Sequence, residues 1–231
     1  MSIQIETNNG GLSEQPNLEP MKSFFDIRAD IYDEHMMVDL DLSEFYTAVN
    51  ECFRPQDSSF RLLDLGCGTG IELEKLFADY PDMQVTGIDL SQEMLNRLKE
   101  KFPGRKLTLI CGSYFGTDLV EDSFDYAVST YSLHHFSEGQ KLSLYKKVYN
   151  SLKSPGIYIE GDYSVKTIEE QLFYISENER FAKEMNVEEG YLHCDVPFTA
   201  ETTIRLLKEA GFPEAEVVRA WDNKSIIMAK K

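Results

Sequence analysis

Short apolar runs alternate with longer amphipathic stretches through the middle of the chain. The runs predict strands, and the stretches between them place apolar residues at three- and four-residue steps, which is the helical period. The predicted strands are Arg61–Leu65, Gln84–Ile88, Leu107–Cys111, Phe124–Thr130 and Gly156–Asp162. The predicted helices are Ile71–Asp79, Gln92–Phe102 and Glu138–Leu152. Alternation at this spacing predicts a mostly parallel sheet with helices on both faces.

The end of the chain breaks this alternation. Two more predicted strands, Glu214–Trp221 and Lys224–Ala229, are joined by Asp222-Asn223 alone. Because so short a link cannot hold a helical crossover, these two strands must be antiparallel. The pattern therefore predicts an α/β fold: a doubly wound, mostly parallel seven-stranded sheet of Rossmann-like type that ends in an antiparallel hairpin.

Three segments lie outside the alternating pattern. Residues 1–22 lack apolar periodicity and predict a flexible tail, and residues 23–231 form one domain. Within it, residues 23–53 predict an N-terminal helical cap, and residues 163–198 predict a helical insertion over the site. Ser23 is the expected N-cap of the first helix, and Thr167 with Glu170 predicts a capping box for the insertion.

Both additions show the helical period. In the first, Phe24, Ile27, Ile31, His35 and Val38 recur at three- and four-residue steps. In the second, Ile168, Leu172, Ile175 and Ala182 lie on one side of the predicted helix. We expect both segments to cover the carboxyl ends of the strands.

The charge and the cysteine content of the chain disfavour some classes of function. The formal net charge is −17, and a chain this acidic is repelled by phosphate backbones, which disfavours nucleic acid as the main partner. The N-terminus resembles no signal peptide and no apolar run is long enough to span a bilayer, so we expect a cytoplasmic protein without a membrane partner. The four cysteines lie far apart, at positions 52, 67, 111 and 194. That spacing favours reduced thiols and predicts no metal site.

The clearest motif is Leu62–Gly70, in which an apolar strand leads into three alternate glycines, Gly66, Gly68 and Gly70. Glycines at a strand–helix turn allow a sharp bend and a close approach of ligand to the main chain. The helix N-terminus beyond them offers free N–H groups to an anionic group. This turn predicts a cofactor-binding loop.

Asp89 supplies a second signal at the end of the next strand. A carboxylate about twenty residues beyond the glycine loop is placed to accept hydrogen bonds from the hydroxyls of an adenosine ribose. The alternative is that Asp89 only caps the following helix, although Ser91 is better placed for that. Together, the loop and the acid predict a site for an adenosine-containing cofactor.

The glycine spacing separates two cofactor classes. Nicotinamide-binding folds favour G-x-G-x-x-G, whereas the loop here reads G-x-G-x-G with an acid two residues before it. With the fourth-strand sequence Phe124–Ser129 and the trailing Leu133-His134-His135, the chain resembles a class I S-adenosylmethionine-dependent methyltransferase of the small-molecule type. The resemblance covers roughly residues 23–229. It implies S-adenosyl-L-methionine as the cofactor and says almost nothing about the acceptor.

The resemblance also implies roles for individual residues. Asp64, Gly66, Cys67 and Gly68 would hold the methionine part, with Ser129 and Thr130 facing the same end. Asp89 would bind the ribose. The residues expected to pack on or bond to the adenine are Leu90, Met94, Ser113 and Tyr114. Many family members carry Asp where Ser113 stands, so its hydroxyl or the Tyr114 amide would replace that carboxylate. Tyr32 would close over the cofactor, or else be an ordinary core aromatic residue.

The candidate catalytic residues are His134 and Glu160. Histidine titrates near neutral pH and can take a proton from an acceptor, although a histidine pair after a strand also commonly bonds to backbone. Glu160 and Asp162 end the fifth strand at the same edge, where one of them would orient the acceptor. His193 is a further, weaker candidate.

Several functions remain open from the sequence. The leading one is methyl transfer by in-line displacement to a small neutral or amine-bearing acceptor, by a monomer or homodimer. The alternatives are a NAD-type oxidoreductase, or a non-catalytic S-adenosylmethionine-binding regulatory protein on the same scaffold. Proximity and alignment supply most of the acceleration of a displacement, so no general base is obligatory.

Overall fold

The computed structural model describes residues 21–57, 59–185 and 194–231, and contains the predicted alternation of strands and helices. The strands are β1 (Arg61–Leu65), β2 (Gln84–Asp89), β3 (Lys106–Cys111), β4 (Phe124–Thr130), β5 (Leu152–Val165), β6 (Phe198–Thr199), β7 (Glu214–Ala220) and β8 (Lys224–Lys230). The helices are α1 (Met21–Arg28), α2 (Tyr32–Glu34), α3 (Ser43–Glu51), α4 (Leu73–Asp79), α5 (Gln92–Lys101), α6 (Glu138–Ser151), α7 (Ile168–Met185) and α8 (Ala200–Ala210). A π-helical turn, His35–Asp39, follows α2.

The sheet has the order β3-β2-β1-β4-β5-β8-β7, and the short β6 pairs with β5 away from this row. Strands β1 to β5 run parallel, while β8 is antiparallel to both β5 and β7. The predicted fold class and the antiparallel hairpin are therefore confirmed. The chain leaves β1 toward β2 on one side and returns to β4 on the other. Ligands of open α/β sheets bind at this kind of switch point, outside the carboxyl ends of the strands.

Each face of the sheet has its own hydrophobic core. On one face, Leu62 and Val128 pack with α3, α4 and α5. On the other, Leu63 and Ala127 pack with α6 and α8. Consecutive residues of β1 are fully buried on opposite faces, because a parallel strand covered by helices on both sides has no solvent-facing side.

The N-terminal cap differs from the prediction. The chain bends after α1, so the predicted apolar stripe does not stay on one face: Ile27, Ile31 and Val38 are 74%, 59% and 69% exposed. Met21 and Met36 are buried instead. The predicted Ser23 N-cap is also wrong, because Ser23 lies inside α1. The first part of this segment also makes polar contacts with distant residues, as described below.

The buried side of helix α7 also differs from the apolar side that its helical repeat indicates. Ile168 and Leu172 are exposed, whereas Gln171 and Asn178 are buried with the predicted Ala182. The Gln171 side-chain oxygen accepts a hydrogen bond from the Thr199 amide at 2.9 Å, so a polar contact fixes this face. Although α7 is the longest helix described, neither it nor any other described helix has the length and apolarity needed to cross a membrane.

Candidate functional site

A pocket opens at the switch point, between the carboxyl ends of the central strands and the N-terminal cap. Its volume is about 460 Å³, including the part open to solvent, and this is within the usual range for small-molecule sites. It is lined by Met21, Phe25, Tyr32, Gly66, Gly68, Asp89, Leu90, Met94, Tyr114, Tyr131, Ser132 and His135. The cap thus supplies one wall, and the loops after β1, β2, β3 and β4 supply the others.

The glycine loop can adopt its path only because two positions lack a side chain. A Cβ at Gly66 would lie 2.0 Å from the Ser132 Oγ, and φ there is +74°. Gly68 has φ of +46°, and a Cβ there would be in ordinary van der Waals contact with the Tyr32 ring at 3.9 Å. The positive φ at both positions is a backbone conformation that favours glycine.

Asp89 connects this loop with the next helix. Its carboxylate accepts hydrogen bonds from the Gly68 amide at 2.9 Å and from the Ser91 amide at 2.8 Å. Ser91, not Asp89, caps α5 through a bond from the Met94 amide at 3.1 Å. Burial raises the pKa of Asp89 to about 6, although the two amide donors oppose that shift. Leu90 and Met94 lie beside it in the pocket wall.

A second, smaller pocket of about 190 Å³ continues from the glycine loop, and Glu72 and Thr130 line it. The Thr130 hydroxyl donates to Glu72 at 3.2 Å. Asp64 lies behind Glu72, and neither of its oxygens has an amide or hydroxyl donor among the described residues. Burial and the neighbouring Glu72 carboxylate raise the pKa of Asp64 well above its ordinary value, and burial also raises the pKa of Glu72.

Glu72 is the site residue that the sequence analysis missed. It follows the glycine loop within the same βα turn, so an acid two residues after the third glycine was the available signal. The structure places Glu72 at the pocket surface and Asp64 behind it. A buried acidic pair with little hydrogen-bond support is arranged to receive a cationic group such as an α-ammonium.

Of the residues expected near the adenine, Tyr114 lines the main pocket and its hydroxyl lies 3.2 Å from the Ser132 carbonyl oxygen. Ser113 is used locally, since its hydroxyl accepts a bond from the Phe115 amide at 3.3 Å. Ser129 is buried, and its hydroxyl has no hydrogen-bond partner in the described part of the chain. Cys67 lines the smaller pocket, against β2 at Gly87.

The two histidines after β4 have different positions. His135 lines the main pocket. His134 is buried behind it, with Nδ1 2.5 Å from the Asp162 carboxylate. Burial works to lower the pKa of His134, but the carboxylates of Asp162 and Asp195 outweigh it and raise the pKa above the ordinary value. His193 lies outside the described residues.

Glu160 is held away from the pocket. Its oxygens accept hydrogen bonds from the hydroxyls of Tyr145 at 3.1 Å and Tyr158 at 2.9 Å, and the Lys141 ammonium lies 3.8 Å away. Burial raises the pKa of Glu160, although Lys141 acts against the shift. The carboxylate is enclosed on the α6 side of β5, so its surroundings give it a role in holding α6 against the sheet.

The fold and site together define a class of protein. A Rossmann-like sheet carries a glycine loop, an aspartate after the second strand and a carboxylate-lined extension next to the loop. These are the elements that bind an adenosyl group at one end and a cationic group at the other.

Comparisons with known proteins name the family. The family model for a methyltransferase domain matches residues 62–156. The carboxy-S-adenosyl-L-methionine synthase of Campylobacter hominis is 30% identical over 185 residues, which are 74% of this chain and 77% of that protein.

Among solved structures, DhpI with SAH has a TM-score of 0.67 at 15% identity, over 90% of this chain and 93% of that one. Human N-acetylserotonin methyltransferase with SAM has a TM-score of 0.59 at 20% identity, over 90% of this chain and 55% of that one. The chain belongs to the class I S-adenosylmethionine-dependent methyltransferase family, and its cofactor is S-adenosylmethionine.

Proposed function

We propose that this enzyme transfers a methyl group from S-adenosylmethionine to a small acceptor that is neutral or amine-bearing. The observation that carries the proposal is the charge of the pocket. Asp89 and Glu72 face it, whereas no Lys or Arg lines either of its two parts among the described residues. The residues that the structure does not describe, 1–20, Ser58 and 186–193, include no Lys or Arg, so every such side chain of the chain is accounted for.

The residues present fit the cofactor at both of its ends. Asp89 is placed to accept the ribose hydroxyls, and Leu90 and Met94 offer apolar surface to the adenine. Glu72 and Thr130 are placed to hold the methionine ammonium. When bound, the cofactor supplies a methyl group on a positive sulfur, which a nucleophile displaces in line without further activation.

The protein's own contribution is position and shielding. The cap residues Phe25 and Tyr32 close the pocket on the side opposite the glycine loop. Tyr131, Ser132 and His135 form the wall where the acceptor would lie. Holding the acceptor atom in line with the sulfur–methyl bond, away from water, supplies most of the rate enhancement that this reaction needs.

A second candidate follows from the named relative. The Campylobacter hominis protein is a carboxy-S-adenosyl-L-methionine synthase, and a chain 30% identical to it is a candidate for the same activity. A cofactor that carries an added carboxylate brings a second negative charge into a buried site, where it needs a cationic partner. The acidic lining without Lys or Arg therefore favours methyl transfer.

Mass spectrometry of the reaction products tests the proposal. We would incubate the enzyme with S-adenosylmethionine and a panel of neutral, amine-bearing and carboxylated acceptors. The expected products are S-adenosylhomocysteine and an acceptor heavier by one methylene unit, from the neutral or amine arms. A carboxylated form of the cofactor would support the second candidate. Cofactor binding without turnover of any acceptor would instead support a regulatory protein. The Asp89→Asn variant is the negative control.

A further inference from the structure

Two imidazoles and a carboxylate converge at the rim of the main pocket. His134 and His135 follow β4, and Asp195 lies just before β6 on the neighbouring segment. One potential ligand atom from each lies within 4.8 Å of the others. A backbone hydrogen bond from the Val196 amide to the His134 carbonyl, 2.5 Å long, holds the two segments together.

The two distances from Asp195 suit shared coordination better than direct bonding. The Asp195 carboxylate oxygen is 3.5 Å from His134 Nε2 and 3.6 Å from His135 Nδ1. Both separations exceed those of good charge-assisted hydrogen bonds, which are about 2.7–2.9 Å. Ligand atoms bound to one tetrahedral ion at about 2.0–2.1 Å lie about 3.3–3.5 Å apart.

Asp162 provides the support that a metal-binding histidine usually has. Its carboxylate lies 2.5 Å from His134 Nδ1 and also accepts hydrogen bonds from the backbone amides of Leu133 at 2.9 Å and Tyr163 at 2.8 Å. A proton on His134 Nδ1 then points at Asp162, which leaves Nε2 with its lone pair directed toward Asp195. A carboxylate behind a histidine fixes the tautomer and ring orientation in this way at many metal sites.

We propose that His134 Nε2, His135 Nδ1 and Asp195 bind a divalent transition-metal ion of the Zn²⁺ type. Two nitrogens and one oxygen are a ligand set that such ions favour, and three protein ligands leave a position open for a further ligand. His135 lines the main pocket, so the open position faces the acceptor side. On metal binding, His135 exchanges its 3.1 Å contact with the Cys194 carbonyl for the ion.

The role of the ion rests on the proposed function. A hydroxyl of the acceptor bound at the open position would lose its proton to solvent more easily, because a divalent ion stabilises the alkoxide. The oxygen–methyl bond then forms as the sulfur–methyl bond breaks, and the electron pair stays on the sulfur of the demethylated cofactor. The proposed acceptors are thereby narrowed to molecules that carry a hydroxyl group.

Cobalt and zinc titrations test the site independently of methyl transfer. We would treat the purified protein with a chelator, then follow Co²⁺ binding by visible absorption and Zn²⁺ binding by calorimetry. The expected stoichiometry is one ion per chain. Asp195→Asn and His135→Gln should each weaken binding at least tenfold, with thermal melts to confirm folding. His35→Ala is the matched control, since His35 forms an exposed pair with Asp39 at 3.1 Å and should leave metal affinity unchanged.

Three results would overturn the proposal. The first is the absence of stoichiometric binding to the wild-type protein, and the second is unchanged affinity in Asp195→Asn. A thiolate-to-cobalt absorption band lost in Cys194→Ser would place the ion on the cysteine and would also overturn it. Methyl transfer that continues fully after the ion is removed would exclude the catalytic role and leave the binding site intact.

Discussion

At the residue scale, two carboxylates have separate tasks. Asp89 binds the Gly68 amide and so shapes the glycine loop while it lines the main pocket. Glu72 lines the smaller pocket and is paired with Asp64 rather than with a cation. The amide donors favour the ionised form of the Asp89 carboxylate, which is thereby available to a ligand in the pocket. The second lies in surroundings that favour any cation that enters.

The pKa of Asp89 predicts a pH dependence of cofactor affinity. Because the free carboxyl has a pKa of about 6 and ribose hydroxyls bond to its ionised form, binding favours deprotonation. The association constant should be flat above pH 7 and fall by about tenfold per pH unit below 6. Calorimetry between pH 5 and 8 measures it. Asp89→Asn should bind at least about tenfold more weakly at pH 7.5 and lose the part of the pH dependence that Asp89 contributes. Asp82→Asn, at an exposed position, should behave as the wild type.

A comparison of two ligands isolates the role of Glu72. Glu72→Gln should weaken S-adenosylmethionine binding by about 10- to 100-fold, since a charge-assisted bond to the ammonium is lost. Methylthioadenosine, which lacks the amino-acid part, should bind the variant and the wild type equally. Equal losses for both ligands would contradict this assignment. Glu74→Gln, an exposed change on the same helix, is the control.

At the element scale, the stretch from α1 to α2 at the start of the N-terminal cap makes several polar contacts with the rest of the protein, whereas α3 packs in the hydrophobic core. The Ser91 hydroxyl donates to Asp26 at 2.6 Å, Arg97 pairs with Asp30, and both Thr69 and Lys101 bond to Asp33. Exposed and half-exposed pairs of this kind each stabilise little, so the stretch from α1 to α2 belongs to the part of the structure that opens at low cost.

The cap should therefore respond to the cofactor. We expect S-adenosylmethionine to slow amide exchange in residues 24–38, because Phe25 and Tyr32 line the pocket that it fills. The exposed side of α7 should not respond, since no described residue of that helix lines the pocket. Hydrogen-exchange mass spectrometry with and without cofactor provides the measurement. Unchanged exchange in residues 24–38 would count against a closing cap.

Helix α6 supports the loop after β3 through one side chain. The Lys147 ammonium donates to the carbonyls of Tyr114, Phe115 and Thr117 at 2.9, 2.7 and 2.8 Å. Burial lowers the pKa of Lys147, and these carbonyls satisfy its donors.

Removing this ammonium should destabilise the protein. Lys147→Met should reduce the free energy of unfolding by about 1–3 kcal/mol, because three carbonyls lose their donor. Urea denaturation measures the change. Lys146→Met, at the exposed neighbouring position, should stay within about 0.5 kcal/mol of the wild type. If the two variants are equally stable, Lys147 does not hold the loop.

At the scale of the whole molecule, charge is unevenly distributed. Residues 23–51 and 163–198 together carry −12 of the net charge of −17. Some of the acidic side chains of the cap bond it to the rest of the protein, as the contacts of Asp26, Asp30 and Asp33 show. We expect the remainder to add to a negative field around a pocket that has no Lys or Arg in its lining among the described residues.

That field predicts a salt dependence of the reaction. The kcat/KM for S-adenosylmethionine and for an amine-bearing acceptor should fall as salt rises from 20 to 500 mM, because screening removes attraction between cations and the acidic surface. The kcat/KM for a carboxylated acceptor should rise over the same range of salt concentration. Steady-state kinetics with each acceptor tests this. Identical salt profiles for cationic and anionic acceptors would exclude steering.

The sequence alone determined the sheet, the glycine loop and the position of Asp89. Each depends on local rules: residue period, glycine at a strand–helix turn, and an acid at the end of the next strand. The fold class, the terminal hairpin and the cofactor were predictable because these signals occur within single βα units.

Tertiary structure decided the rest. The face of the cap that is buried depends on partners such as Ser91 and Lys101, more than sixty residues away, which no helical period encodes. The same holds for Asp195, which meets His134 and His135 only because β5 and α7 return the chain to the end of β4. The roles of Glu160 and Glu72 likewise depended on what surrounds each carboxylate. The chemistry of a carboxylate is set by its neighbours in space, and spacing along the chain does not specify them.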